Sequence, residues 1–306
     1  MAHQLMKAVL LHGYGDIGEL SYEDVPVPLA AAGEVLVKTI AVSINPIDWK
    51  LRRGDLKGFM PLAFPAILGR DFSGEVVGLG EGVKTLEIGE VVFGLVNRSY
   101  AEYVVCKPED VARIPKGLDP FDAAALPLVL LTGAQVIEFG IQPKQGDVVL
   151  VTGAIGGVGR TAVHVAKQHG AHVIAGVRAS QRAEAERLGA DRVIALGDVN
   201  EVGSLPELDA IADMVGHETI DRLLSHIRKN GVLASVLGPP ASAEGRNLRV
   251  VSVFAQPDSA RLEELGGEIV RGLFSIPISK RMKLAQIREA QQLAEHGGIG
   301  KIVLTP

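Results

Sequence analysis

The sequence predicts an α/β protein in which a compact β domain precedes a doubly wound parallel sheet. Two observations carry the prediction. Across residues 7–114, short β-rich segments alternate with Gly, Pro and Asp turns. Across residues 148–254, apolar strands alternate with helical patterns, as crossover-connected parallel strands require.

The first domain opens with KAVLLHG and continues with EVLVKTIAVSI, SGEVVGLG, EVVFGLV and YAEYVVC. Gly74, Gly78, Gly80, Gly82 and Gly89 fall where such strands turn, and Pro26 and Pro28 form an extended arm before the strand at Val35. No long helix is expected in this part. After Asp119 the pattern becomes helical in PFDAAALPLVLLTGAQVIEFG, with an acidic first turn and an interruption at Pro127.

Residues 148–151 form a continuous apolar run, suited to a strand covered on both faces, and Gly153, Gly156, Gly157 and Gly159 punctuate the turn that follows. Helical spacing resumes over residues 160–169 and another apolar strand follows, HVIAGV. Strand, glycine turn, helix and second strand form the context in which a glycine motif points to a dinucleotide. Backbone amides at Gly153, Ala154, Ile155, Gly156, Gly157 and Val158 approach a pyrophosphate closely, and the positive helix end stabilises its charge. The alternative is a tight helix-packing turn.

Further strands are read at RVIAL, AIADMV, GVLASVL and LRVVSVF, with helices at QRAEAERLG and ETIDRLLSHIRKNG. This completes a Rossmann sheet of about six strands. Val215 and Gly216 end the fourth strand, Leu237 and Gly238 the fifth, and Phe254 and Ala255 the sixth, so all six residues lie at the carboxyl edge where ligands bind. Two helical patterns, RLEELGGEIVRG and KLAQIREAQQLAEHG, lead to a last short strand, KIVLT. With the Rossmann sheet complete, that strand is expected to pair with the β domain. The expected division is 1–121 with 275–306 for the β domain and 122–274 for the Rossmann domain.

Composition narrows the function classes. The chain has 306 residues, 47% of them hydrophobic, enough for well-buried cores. A net charge of −5 without a dense basic block argues against a nucleic-acid surface. No run has the length and apolarity of a membrane span, and the N-terminus lacks the apolar core of a signal peptide, so a cytoplasmic location is expected. The single cysteine, Cys106, forms neither an internal disulfide nor a cysteine-rich zinc site.

The end of the second strand selects the cofactor. An acidic residue there would accept hydrogen bonds from an unphosphorylated ribose, whereas this chain has Arg178, Ser180 and Arg182. A guanidinium fork suits a 2′-phosphate, so NADPH is expected over NADH. The other reading is a solvated basic helix start. Thr152 to Gly159 also satisfies the glycine turn of the short-chain dehydrogenases. Those enzymes need a Tyr-x-x-x-Lys pair after the turn, and all four tyrosines here, Tyr14, Tyr22, Tyr100 and Tyr103, precede it.

Six motifs in order, MKAVLLHGYGDIGELSYEDVPVP, SINPIDWKLRRG, ILGRDFSGEVVGLGEGV, ALPLVLLTG, VTGAIGGVG and GKIVL, make the chain resemble the zinc-independent quinone oxidoreductase branch of the medium-chain dehydrogenase/reductase superfamily. The resemblance spans essentially the whole length. It implies a GroES-like β-barrel domain followed by the Rossmann domain, NADPH-dependent reduction of a quinone or α,β-unsaturated carbonyl, and a homodimer formed through the Rossmann sheet edge near residues 248–253. Zinc relatives hold catalytic metal with a cysteine and a Gly-His-Glu histidine; here Asn45 stands near the cysteine position and Arg70 replaces the histidine. A guanidinium remains protonated and is no zinc ligand, so no metal is expected. His164, His169 and His172 are spaced around a helix and into a strand, which does not form a ligand set.

By the same resemblance, Asn45, Asp48 and Lys50 lie on the segment that faces the nicotinamide. They are the candidate catalytic residues. In many relatives a tyrosine stands at the place of Lys50, which here either polarises a carbonyl or supplies a proton, or else points to solvent. Asn45 also reads as a cap before Pro46, and Asp48 as a partner of Arg52 or Arg70. Thr132 approaches the nicotinamide ribose in relatives; its alternative role is a helix-packing hydroxyl. The other functional readings are an NADPH-binding scaffold or sensor with little turnover, and a reductase of a different carbonyl or alkene.

Overall fold

The computed structural model describes residues 4–298 and 300–306. It divides into two compact units, residues up to Leu128 with Pro257–Pro306, and Val129–Gln256. In chain order the strands are β1 (Leu5–Leu11), β2 (Leu20–Pro26), β3 (Val35–Ser43), β4 (Ala66–Ile67), β5 (Asp71–Leu79), β6 (Val91–Leu95), β7 (Tyr103–Cys106) and β8 (Val111–Arg113). They continue as β9 (Val148–Thr152), β10 (His172–Val177), β11 (Arg192–Ala195), β12 (Leu208–Asp213), β13 (Ile227–Ser235), β14 (Arg249–Ser252), β15 (Ile278–Lys283) and β16 (Lys301–Thr305). The helices are α1 (Pro46–Arg53), α2 (Pro120–Ala123), α3 (Pro127–Gln135), α4 (Gly157–Gln168), α5 (Arg182–Ala185), α6 (Val199–Gly203), α7 (His217–Leu223), α8 (Ser259–Val270) and α9 (Ile287–His296).

In the first unit, β15, β16, β3, β5, β6 and β8 form one sheet, with β7 also paired to β3, and β2, β1 and β4 form a second. Val9, Leu11, Leu20, Val37, Phe72, Val92 and Tyr100 are buried in its core. The last strand, β16, pairs antiparallel with β3 through Val303 and Ser43. It carries Lys301 into the heart of this unit.

Helix α1 was not expected, yet every local signal for it is present. Asn45 precedes Pro46 at the first helical position, and the Asp48 side chain accepts from the Asn45 backbone N–H at 2.8 Å. Gly54 ends the helix at φ +82°, where an added Cβ would also meet Tyr14 at 3.2 Å. The flanking β segments hid an eight-residue helix.

The second unit is a six-stranded parallel sheet in the order β11-β10-β9-β12-β13-β14, with the order reversing beside β9. Val149, Leu150 and Val151 are fully buried, as the apolar run required. The helical reading of ETIDRLLSHIRKNG holds only in its first half. Helix α7 ends at Leu223 and β13 begins at Ile227, with a register shift between Leu208 and Ala210 of β12 and Asn230 at φ +62°. Arg228 is drawn to Asp209 at 2.5 Å, so the charged stretch runs beside β12 and not around a helix.

The division also differs from the expected joints at 121/122 and 274/275. By packing it falls at 128/129 and 256/257. Helix α8, assigned from sequence to the Rossmann domain, belongs to the first unit: a Cβ on its Gly266 would meet Phe93 at 3.1 Å and Pro115 at 3.2 Å.

Candidate functional site

In the second unit the glycine turn joins β9 to α4 at the carboxyl edge of the sheet. Gly153 has φ +61°, and a Cβ on Gly159 would lie 2.3 Å from the Gly153 carbonyl oxygen, so the first turn of α4 closes on the strand end with no room for a side chain. Ala154 donates its N–H to the Gly176 carbonyl of β10 at 3.3 Å, and the Ile155 carbonyl accepts from Arg160 Nε at 2.8 Å. Gly156 precedes α4 without a side-chain cap, leaving the positive helix end, with Gly157 and Val158 in its first turn, open to an anion.

Asp213, at the end of β12, ties the neighbouring loops together and was missed in the sequence. Its buried carboxylate accepts from Thr152 Oγ1 of β9 at 3.0 Å, from the backbone N–H groups of Val215 (3.1 Å) and Gly216 (2.9 Å), and from Ser235 Oγ of β13 at 2.9 Å. Thr152 Oγ1 accepts in turn from Met214 N–H, and Ser235 Oγ from Leu237 N–H. Gly153, Val215, Gly216, Leu237 and Gly238 are thereby brought to one edge. A cavity of about 320 Å³ there is lined by Asp213, Gly216, Ile220, Leu237 and Gly238. Thr132 of α3 is 7% exposed, Phe254 is exposed and Ala255 is half-buried.

Past β10, the exposed Arg178 side chain has no hydrogen-bond or ion-pair partner among the described residues, and Ser180 is exposed beside it. Arg182 differs from the sequence reading. Its guanidinium is engaged by both Glu201 oxygens at 2.5 Å and by the Val193 carbonyl at 3.1 Å, which makes it a brace between loops.

In the first unit, Asn45, Asp48, Asp71, Tyr100 and Lys301 form a buried polar cluster. Asp71 accepts from Ser43 Oγ (2.6 Å), Asn45 Nδ2 (2.8 Å), Lys301 Nζ (3.1 Å) and the Leu128 N–H (2.7 Å). Lys301 Nζ also donates to Asn45 Oδ1 at 2.6 Å and to the Ile44 carbonyl at 3.1 Å. A buried ion pair needs such additional bonds to offset desolvation. Asp48 accepts from the Asn45 N–H and from Tyr100 Oη at 2.6 Å. Burial pushes the Asp48 carboxyl up to about 6 against the lowering effect of those two bonds. Burial and the nearby carboxylates push the Tyr100 phenol far up, so it remains a donor.

Asn45 and Asp48, two of the three expected catalytic residues, are fully buried, the Asn45 amide held by Asp71 and Lys301 and one Asp48 oxygen by Tyr100 and the Asn45 N–H, so in this structure neither presents a surface to a substrate. Lys50 is half-buried and without a hydrogen-bond or ion-pair partner among the described residues, and burial lowers its pKa. Arg70 is neither an Asp48 partner nor fully enclosed. Burial lowers its pKa while Asp48 and Asp71 act in the opposite direction through space. Among the described residues, no group of three or more His, Cys, Asp or Glu side chains is arranged to hold a metal ion. Cys106 is a free buried thiol pushed up to about 12 by burial.

Comparison with known proteins agrees with these features. Residues 31–116 match the alcohol dehydrogenase GroES-like domain, and residues 188–304 match the zinc-binding dehydrogenase domain. The chain is 29% identical over the full length of both proteins to the chloroplast envelope quinone oxidoreductase homolog of Arabidopsis thaliana. It is 32% identical over 251 residues, 76% of this chain and 64% of the relative, to the NADPH-dependent alkenal/one oxidoreductase, chloroplastic, of the same plant. The solved quinone oxidoreductase from Coxiella burnetii superposes with a TM-score of 0.89 at 31% identity, covering 99% of this chain and 100% of that one. The chain belongs to the quinone oxidoreductase branch of the medium-chain dehydrogenase/reductase superfamily. It is an oxidoreductase with a GroES-like domain and a Rossmann domain. Membership implies a nicotinamide cofactor, and the side-chain-free turn at the start of α4 fits one. No helix among the described residues is long and apolar enough to cross a membrane.

Proposed function

We propose that this protein transfers hydride from NADPH to a quinone or an α,β-unsaturated carbonyl, without a metal, as a homodimer. The observation that carries the reading is the glycine turn closed against the Gly153 carbonyl at the open N-terminus of α4, followed past β10 by Arg178, whose side chain has no partner among the described residues, where an NADH enzyme would place a carboxylate. The fork of Arg178 pairs with a 2′-phosphate and Ser180 adds a hydroxyl donor. The name of the Arabidopsis alkenal/one relative supports the same cofactor and acceptor class.

When bound, the reduced nicotinamide supplies the hydride. The chain's own residues then orient and exclude. The Asp213 network holds the loops carrying Gly153, Val215, Gly216, Leu237 and Gly238, with Thr132, Ala154, Ile155, Gly156, Gly157, Val158, Phe254 and Ala255 as the remaining cofactor contacts. Asn45 and Asp48 act by fixing the buried cluster, and the proton comes from solvent or from Lys50, whose pKa burial lowers. Metal independence is supported by the chemistry of the donors: the Asn45 amide is spent on Asp71 and Lys301, and a guanidinium is no ligand. A cytoplasmic location belongs to the same reading, with the lone buried Cys106 thiol suited to a reducing compartment; cell fractionation tests it.

The test of activity is the loss of NADPH absorbance with 1,4-benzoquinone, a naphthoquinone and short 2-alkenals. The expected result is turnover with at least one of them, faster with NADPH than with NADH. Tight NADPH binding with no reduction above background would establish a cofactor-binding scaffold instead.

A further inference from the structure

We propose that Arg70 is the residue that takes the acceptor's carbonyl oxygen and stabilises the negative charge that develops there. The inference rests on the reductase reading above and names a group that reading leaves without a role.

Arg70 carries the one kind of defect that a folded protein rarely tolerates without cause. Its Nε is sealed from solvent with no hydrogen-bond partner, and the rest of the guanidinium makes no hydrogen bond or ion pair among the described residues. Buried polar atoms are nearly always satisfied, and an unpaired buried charge is costly. The two nearest carboxylates do not satisfy it. Asp71 is committed to Ser43, Asn45, Lys301 and Leu128, and Asp48 directs one oxygen to Tyr100 and the Asn45 N–H while its Oδ1 is itself unpartnered. They supply only through-space attraction.

The backbone holds Arg70 rigidly. Gly69 has φ +96°, and a Cβ there would lie 2.4 Å from Ser99 Oγ and 2.5 Å from Tyr100 Cδ1. The Arg70 carbonyl accepts from Val96 N–H at 2.9 Å, and the Leu68 carbonyl from Tyr100 N–H at 3.0 Å. The side chain keeps partial exposure, unlike those of Asn45, Asp48 and Asp71. A partly exposed cation with unused donors, carried on a backbone held in place, is what an oxyanion requires. As hydride adds to the β-carbon of an enone, the C=C electron pair shifts to form an enolate, whose oxygen Arg70 holds by N–H donation. A proton from Lys50 or water then goes to the α-carbon, giving the saturated carbonyl and oxidised cofactor. For a quinone, the same donors hold the hydroquinone anion until it is protonated.

The experiment compares full-length wild-type protein with Arg70→Ala and Arg70→Lys. Removal of one oxyanion donor costs about 100- to 1000-fold in kcat. Arg70→Ala is expected to lose kcat on that scale while NADPH Kd, read from nicotinamide fluorescence, changes less than about twofold. Arg70→Lys should retain intermediate kcat, and methylguanidinium should restore part of the Arg70→Ala rate while leaving the wild type unaffected. Retention of kcat within about threefold in Arg70→Ala overturns the assignment. So does a tenfold rise in NADPH Kd, which would make Arg70 a cofactor anchor. If Arg70→Ala does not fold, the Lys variant decides: a native thermal transition with unchanged kcat overturns the proposal. Absence of turnover by the wild type with every acceptor overturns the reductase reading itself, and the role of Arg70 with it.

Discussion

Asp48 carries a proton equilibrium that leaves a signature in stability. Its carboxyl titrates at about 6 in the folded chain, raised from 3.8 chiefly by burial, so the folded state holds that proton more tightly than the unfolded chain. The resulting stabilisation is fully present below about pH 4 and is lost as pH rises through about 6, a difference on the order of 3 kcal/mol. Chemical denaturation at pH 5 and pH 8 should therefore show a steeper loss in the parent than in Asp48→Asn, which keeps an acceptor for Tyr100 but does not ionise. Equal slopes in the two proteins would show that Asp48 does not titrate in this range. Arg178 is the second residue-scale case. A charge-assisted bond to phosphate contributes about 1.5–3 kcal/mol, so Arg178→Ala should weaken NADPH by about 10- to 100-fold and leave NADH nearly unchanged, as measured by equilibrium titration. Equal losses for both cofactors remove the phosphate assignment.

At the scale of elements, what could be read from the sequence depended on whether the determining interactions were local. The β9–turn–α4–β10 unit was legible because buried apolar runs and glycine spacing are consecutive in the chain. Helix α1 was written just as locally, in Asn45, Pro46, Asp48 and Gly54, and was obscured by the β pattern on either side. The charged IRKNG stretch reads as helix by composition, but Arg228 pairs with Asp209 and the segment becomes the start of β13. The buried cluster was the least legible part. Lys301 lies 230 residues from Asp71, and nothing near either marks them as partners. The expectation that the last strand joins the β domain was the only pointer toward it. Asp213 is similar: it looks like any acid at a strand end until β9 and β13 bring Thr152 and Ser235 to its oxygens.

At the scale of the whole molecule, the proposed dimer needs a surface that copies itself, and β14 offers one. It is the last strand of the six-stranded sheet and, among the described residues, pairs with β13 alone, so its other side presents backbone groups without a strand partner. The ladder fixes which groups those are. Val253 donates its N–H to the Ser235 carbonyl of β13 at 2.9 Å, and successive residues of a strand direct their amides to opposite sides, so the Ser252 N–H points to the open edge. Two copies meeting at this edge across a twofold axis would continue the sheet. Proline at this position removes the outward donor without breaking a bond to β13, and edge strands tolerate it. Light scattering should therefore give twice the 32.3 kDa chain mass for the parent and a shift toward the single-chain mass for Ser252→Pro, with the far-UV spectrum and NADPH affinity preserved. A dimer that survives this substitution unchanged would place the interface elsewhere, and a monomeric parent would remove the dimer altogether.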